Sequence, residues 1–179
     1  MLRPDSAGLV VVDVQGKLAT LMHDREALYR NLQILIAGSQ VLRLPIFWLE
    51  QYPQGLGPTI PEVAELLGDL KPLPKVCFSG CGDDEFRRRV RTSGRCQLLL
   101  CGIEAHICVY QTTRDLLAEG YHVELVADAV SSRTAANRQI GLDRAARLGA
   151  HITSVEMALF ELLRVAGGPE FKEIARLVK

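Results

Sequence analysis

Hydrophobic positions along the chain follow two alternating rhythms. Leu9-Val10-Val11-Val12 is an unbroken apolar run between Gly8 and Asp13. Such a run suits a parallel strand buried on both faces. From Asp24 to Leu44 the spacing turns helical, with Leu28, Leu32, Leu35, Ile36 and Leu42 on one broad face and Asp24 as the expected N-cap. Ile46 to Leu49 reads as the second strand, and Gln51 to Thr59, rich in Pro and Gly, as a loop. Thr59-Ile-Pro-Glu62 resembles a capping box opening a short helix.

The alternation continues to the end of the chain. Lys75 to Phe78 is the expected third strand, opened by Lys75, and Asp83 caps a short basic helix reaching Thr92. Gln97 to Ile103 is the fourth and most apolar strand, followed by a helix from His106 to Glu119 closed by Gly120. His122 to Ala127 is the fifth strand, Ala135 to Leu148 a helix ended by Gly149, and Ala150 to Thr153 the sixth strand. Thr153-Ser-Val-Glu156 reads as a second capping box, opening a helix through Val165, and Glu170 to Val178 as a last helix. Strands alternating with helices imply parallel pairing through right-handed crossovers. The expected fold is α/β: a three-layer, doubly wound, Rossmann-like sheet of about six parallel strands with helices on both faces. No linker, repeat or low-complexity stretch divides residues 1–179, so one domain is expected. Such sheets hold ligands outside the carboxyl ends of their strands, which directs attention to the residues just after each strand.

Asp13 follows the first strand, Glu50 the second, Gly102-Ile-Glu-Ala-His-Ile-Cys108 the fourth, and Asp128 with Ser131-Ser132-Arg133 the fifth. Cys108 falls in the first turn of a helix, where unpaired N–H groups and the helix dipole favour a thiolate and lower a cysteine pKa. Asp13, from a neighbouring strand, can take the thiol proton; burial raises its pKa and a nearby Lys75 opposes that rise. His106 is two residues from Cys108, and neighbours at that spacing point apart on a helix, so it is a pocket residue rather than the base. Gln15, Trp48, Gln51 and Tyr52 lie on strand-end segments and are candidates to contact substrate.

Charge and cysteine usage narrow the classes. Apolar residues make up 48% of the 179 positions, and 21 Lys plus Arg balance 21 Asp plus Glu. Zero net charge argues against a nucleic-acid surface. Arg87-Arg-Arg89 and Arg91 follow Asp83, Asp84 and Glu85 and read as a solvated helix face. No stretch has the ~20 apolar residues of a membrane span. Five cysteines, an odd number, do not form a disulfide framework and fit a reducing, cytoplasmic setting. Cys77 and Cys81 lack the second pair of a zinc site, and Gly80-Cys-Gly82 is too short for a dinucleotide fingerprint.

Three segments carry a family resemblance. Leu100-Cys-Gly-Ile-Glu-Ala-His-Ile-Cys-Val109 resembles the nucleophile motif of isochorismatase-like cysteine hydrolases, Val12-Asp-Val-Gln15 their first-strand Asp motif, and Lys75 with Phe78-Ser79 their Lys motif. The likeness runs from about residue 7 to residue 165. It extends toward the isochorismatase-domain-containing proteins and their bacterial relatives through Glu50 to Thr59, Cys101 to Ala105 and Asp128 to Arg133. The resemblance implies an Asp–Lys–Cys triad at Asp13, Lys75 and Cys108, a cis peptide between Ile103 and Glu104, and an oxyanion hole from the amides of Glu104 and Cys108. It implies a cysteine hydrolase and a homo-oligomer, and a thiolate nucleophile fits a small-molecule substrate, an amide or related acyl compound cleaved through a thioester on Cys108. The nicotinamidase branch binds metal through an Asp and histidines after the second strand. This chain has Glu50-Gln-Tyr-Pro there and no His between His23 and His106, so neither metal nor cofactor is expected. Isochorismatases proper lack the nucleophilic Cys that stands here at 108. The competing reading is a non-catalytic oligomeric or redox-sensing module that retains the fold.

Overall fold

The computed structural model describes Met1–Lys179 throughout. In chain order its elements are β1 (Ala7–Val12), α1 (Gly16–Thr20), α2 (Arg25–Val41), β2 (Ile46–Gln51), α3 (Pro53–Leu56), α4 (Pro61–Leu67) and β3 (Leu73–Lys75). There follow α5 (Asp84–Thr92), β4 (Gln97–Ile103), a π-turn (Ala105–Val109), α6 (Tyr110–Ala118), β5 (His122–Ser131), α7 (Ala135–Arg147), β6 (His151–Thr153), α8 (Val155–Leu163) and α9 (Gly168–Leu177). All six strands are parallel, in the order β3-β2-β1-β4-β5-β6. The doubly wound sheet read from the sequence is the fold observed.

Period-two alternation divides the strands between two cores. Leu9, Val11, Leu99 and Cys101 face one side, against Leu32, Leu35 and Ile36 of α2, Leu159 of α8 and Ile174 of α9. Val10, Val12, Leu98 and Leu100 face the other, against Phe86 of α5, Leu116 of α6 and Leu142 of α7. Both faces are apolar because both are covered, which is why β1 and β4 lack a polar alternation. Each fully buried aliphatic side chain contributes roughly 1.5–3 kcal/mol.

Several local expectations are corrected. The third strand ends at Lys75 rather than beginning there. Its register partner is Gln51, and Val76 and Phe78 beyond it are exposed turn residues. Asp24 stands before α2 with φ 49° and makes no side-chain cap. Thr59 opens no capping box: Ile60 precedes α4, which Pro61 begins, and Thr59 is instead tied to Glu50. At the second box Ser154, not Thr153, accepts the Met157 N–H, because Thr153 still belongs to β6. The segment from Gln51 to Thr59 contains α3, and α1 lies in a stretch without strong periodicity. Asp83 caps α5 as expected, accepting from Phe86 N at 2.8 Å.

Candidate active site

Strand order reverses between β1 and β4, where doubly wound sheets hold their ligands, and Asp13 and the π-turn leave their strands at that point. Asp13 leaves β1 with φ 52°, in the left-handed region, a conformation uncommon for a non-glycine residue. Its N–H donates to Leu49 O and its carbonyl accepts from Gln15 N, fixing the turn from both sides. On the adjacent strand Gly102 has φ 111°, and a Cβ there would lie 2.0 Å from Val12 O. Only glycine lets β4 pass this close to the residue before Asp13.

Beyond Gly102 the peptide between Ile103 and Glu104 is cis. The chain then enters the π-turn, where Ile107 N and Val109 N both donate to Glu104 O. Cys108 sits between these two amides, 7% exposed. Gly141 of α7 closes against the back of this turn; a Cβ there would meet the Ala105 carbonyl at 2.6 Å. The glycine inside the helical pattern of α7 marks this close approach, a signal visible in sequence but without a partner to interpret it.

Lys75 reaches the same place from β3, across β2. Its Nζ donates to Asp13 Oδ2 at 2.6 Å, Gln51 Oε1 at 2.7 Å, Phe78 O at 3.1 Å and Cys77 O at 3.3 Å. The side chains of Lys75 and Asp13 are 1% and 3% exposed. Burial pushes the Asp13 carboxyl above the usual range, with Lys75 opposing. The other carboxylate oxygen, Oδ1, is buried with no hydrogen-bond partner. Burial also pushes the Cys108 thiol up to about 12, and the neighbouring Asp13 charge adds to the rise while Lys75 works against it. This corrects the expectation of a lowered cysteine pKa: removal from water and an adjacent carboxylate outweigh the start of the helix. In the free protein the thiol keeps its proton beside a carboxylate with an unused oxygen.

The other candidates divide by what holds them. Gln15 is fully buried and spent on structure: its amide N–H groups donate to Gln51 O and Gly57 O, and its Oε1 accepts from Gln51 N. Gln51 positions Lys75 and donates from Nε2 to Val76 O. Trp48 packs in the core and donates from Nε1 to Thr59 Oγ1. These three are supports rather than free pocket groups. Tyr52 is exposed, with φ 37°. His106 Nδ1 lies 2.9 Å from Ser132 Oγ, away from the role of base. Ser131 donates to His23 O, so the Ser131–Ser132 pair ties the strand end to the segment before α2. Arg133 Nε donates to the buried Glu104 carboxylate at 3.1 Å, bracing the start of the π-turn. Thr112 Oγ1 accepts Gly80 N, docking the segment after β3 onto α6. Sequence reasoning missed the Glu104–Arg133 and Gly80–Thr112 links, because both join segments far apart in the chain. The three histidine–carboxylate neighbours His122, Glu124 and His151 lie elsewhere, at the amino ends of β5 and β6.

The family model for the isochorismatase domain matches residues 7–157. A protein from Phytophthora sojae described as a secreted isochorismatase effector is 40% identical, over 99% of this chain and 87% of its own. The human isochorismatase domain-containing protein 2 is 37% identical, over 98% of this chain and 84% of its own. A solved structure described as MAR1 ribonuclease from Caenorhabditis elegans superposes with a TM-score of 0.93 at 34% identity, covering 99% of this chain and 91% of its own. No helix is long and apolar enough to cross a membrane, and all five cysteines are free. With most of its length matched by the family model and by relatives above 30% identity, the chain belongs to the isochorismatase family of hydrolases.

Proposed function

We propose that the protein is a cysteine hydrolase that cleaves a small amide or related acyl compound through a thioester on Cys108. The observation that carries this reading is the divided Asp13 carboxylate: Oδ2 is held by Lys75, and Oδ1 is buried without a partner while its charge reaches the Cys108 thiol. A buried polar atom left unpaired in a folded protein calls for an explanation, and a proton-accepting role supplies one. Lys75 opposes the rise that burial imposes on the Asp13 carboxyl, and Gln51 keeps Lys75 in place.

In the first half-reaction the Cys108 sulfur attacks the acyl carbon as its proton passes to Asp13. The amides of Glu104 and Cys108 stabilise the resulting oxyanion. Collapse breaks the bond to the leaving group, which departs with the proton from Asp13, and the acyl group remains as a thioester. Water then attacks the thioester while Asp13 accepts its proton. The acid leaves, and the proton returns to the sulfur. No metal or cofactor takes part.

Balanced charge, and an arginine run on α5 already paired with Asp84, Glu85 and Glu119, favour a small substrate over a nucleic acid. Exposed Val76 and Phe78, beside Lys75, favour a homo-oligomer whose contacts close the site from above. Five free cysteines fit a reducing, cytoplasmic compartment. The test is turnover of a panel of small amides and activated acyl compounds by the wild type and Cys108→Ala. Hydrolysis by the wild type alone is the expected result; hydrolysis that survives the substitution overturns the mechanism.

A further inference from the structure

We propose that His122, Glu124 and His151 form a separate binding site for a divalent transition-metal ion of the zinc class. His122 and Glu124 are two apart on β5 and therefore share a face of the sheet. His151 is the register partner of Glu124 on β6 and points to the same side. His122 Nε2 lies 2.8 Å and His151 Nδ1 3.4 Å from Glu124 Oε1. All three donor atoms lie within 4.8 Å of one another, and the two imidazole rings meet edge to face at 4.4 Å.

The metrics suit a tetrahedral ion. Zinc bonds to imidazole and carboxylate near 2.0–2.2 Å place donor atoms roughly 3.3 Å apart. The His151–Glu124 separation is already at that spacing, and the His122–Glu124 pair needs to open by about 0.5 Å. Two imidazoles and one carboxylate favour zinc, copper or nickel over magnesium or calcium. Three protein donors leave a fourth position for water. The Glu124 side chain is 7% exposed and that of His151 61%, so the charged ligand lies beneath and the imidazoles face solvent, which provides an entry path. Without metal, His122 Nε2 and Glu124 Oε1 share a hydrogen bond and His151 Nδ1 stands beside them; the cation would take the place of the proton between the first two. The bound ion would clip the three-residue edge strand β6 to β5, at the end of the sheet opposite Asp13 and Cys108. Cysteine spacing and the segment after β2 do not reveal this site, because its ligands are brought together only by strand register.

Equilibrium dialysis of the whole protein against zinc, with total bound metal measured, tests the site in the wild type, His151→Ala and Glu124→Gln. His151 is exposed, so its replacement leaves the fold intact, which circular dichroism checks. The expected result is one zinc per chain, with affinity lowered about 100-fold or more in both variants, the upper scale seen for loss of even an outer partner of a metal ligand. Zinc should also raise the melting temperature of the wild type and not of the variants. Cobalt substitution should give d–d bands without thiolate charge transfer. Zinc binding unchanged in both variants, a thiolate cobalt spectrum, or no bound zinc at submillimolar free ion would overturn the proposal.

Discussion

The carboxyl edge of the sheet departs from regular geometry around Asp13 and Cys108, whereas the amino edge of the same strands keeps unbroken register. At the carboxyl edge Asp13 and Tyr52 have positive φ, Gly102 has φ 111°, and a π-turn follows β4. There the β4–β5 pairing also slips, so that Leu100 pairs with Leu125 but Gly102 with Val130. At the amino edge Ala7 pairs with Gln97 and Gln97 with His122 without interruption. The polar groups differ in the same way. Asp13 and Lys75 are sealed from water, with one carboxylate oxygen left unpaired, while His122 and His151 reach solvent. Irregular backbone gathers where buried charges must converge from strands that are not neighbours, and regular backbone suffices where polar groups stand side by side.

The sharpest break of this contrast is chemical. Cys108→Ala and Asp13→Asn should each lower kcat by about 1000-fold or more, with the fold retained, as steady-state turnover and circular dichroism will show. Lys75→Met comes next, because it leaves the Asp13 carboxylate buried and unpaired. We expect a loss of about 3–5 kcal/mol in denaturant unfolding, shrinking at lower pH as Asp13 becomes protonated. The double variant Asp13→Asn/Lys75→Met should recover most of that stability and remain inactive. A third expectation concerns pH. Folded Cys108 holds its proton up to about 12, against an ordinary 9.0. Between those values the unfolded chain binds fewer protons than the folded one, so stability contributed by the neutral thiol is present below pH 9.0 and lost as pH rises. The wild type should lose about 1.4 kcal/mol more per pH unit than Cys108→Ala across that window. The smallest effect belongs at the outermost strand, separated from β1 by β4 and β5: Ser154→Ala, which removes the cap of α8 after β6, should cost about 1 kcal/mol and leave kcat/KM unchanged.

What the sequence made legible follows the same division. The apolar runs of β1 and β4, the helical faces of α2 and α7 and the Asp83 cap are local patterns, each decided by side chains within a few residues. The parallel, doubly wound sheet and the strand-end position of Asp13 and Cys108 follow from those patterns together with the rules of such sheets, whereas the strand order is set by pairings between distant segments. Residues whose roles depend on distant partners were read less well. Gln15, Trp48 and Gln51 look like pocket groups until their hydrogen bonds to Gln51, Thr59 and Lys75 are seen. The direction of the Cys108 pKa could not be read from helix position, because it depends on burial and on the charge of Asp13, ninety-odd residues away. The one-residue shift from Thr153 to Ser154 as a cap arose because β6 runs one residue farther than the capping pattern allows.

The central claim is that Cys108 becomes acylated with Asp13 as its proton acceptor. The direct measurement is rapid quenching of the protein during reaction with an activated acyl ester, followed by peptide mass spectrometry of all five cysteines. The account predicts one acyl group on Cys108, formed and lost at the rate of turnover, absent from exposed Cys77 and Cys96 and not formed in Asp13→Asn. Turnover with no acyl group on Cys108, or acylation of Cys77 and Cys96 at the same rate as Cys108, would contradict it.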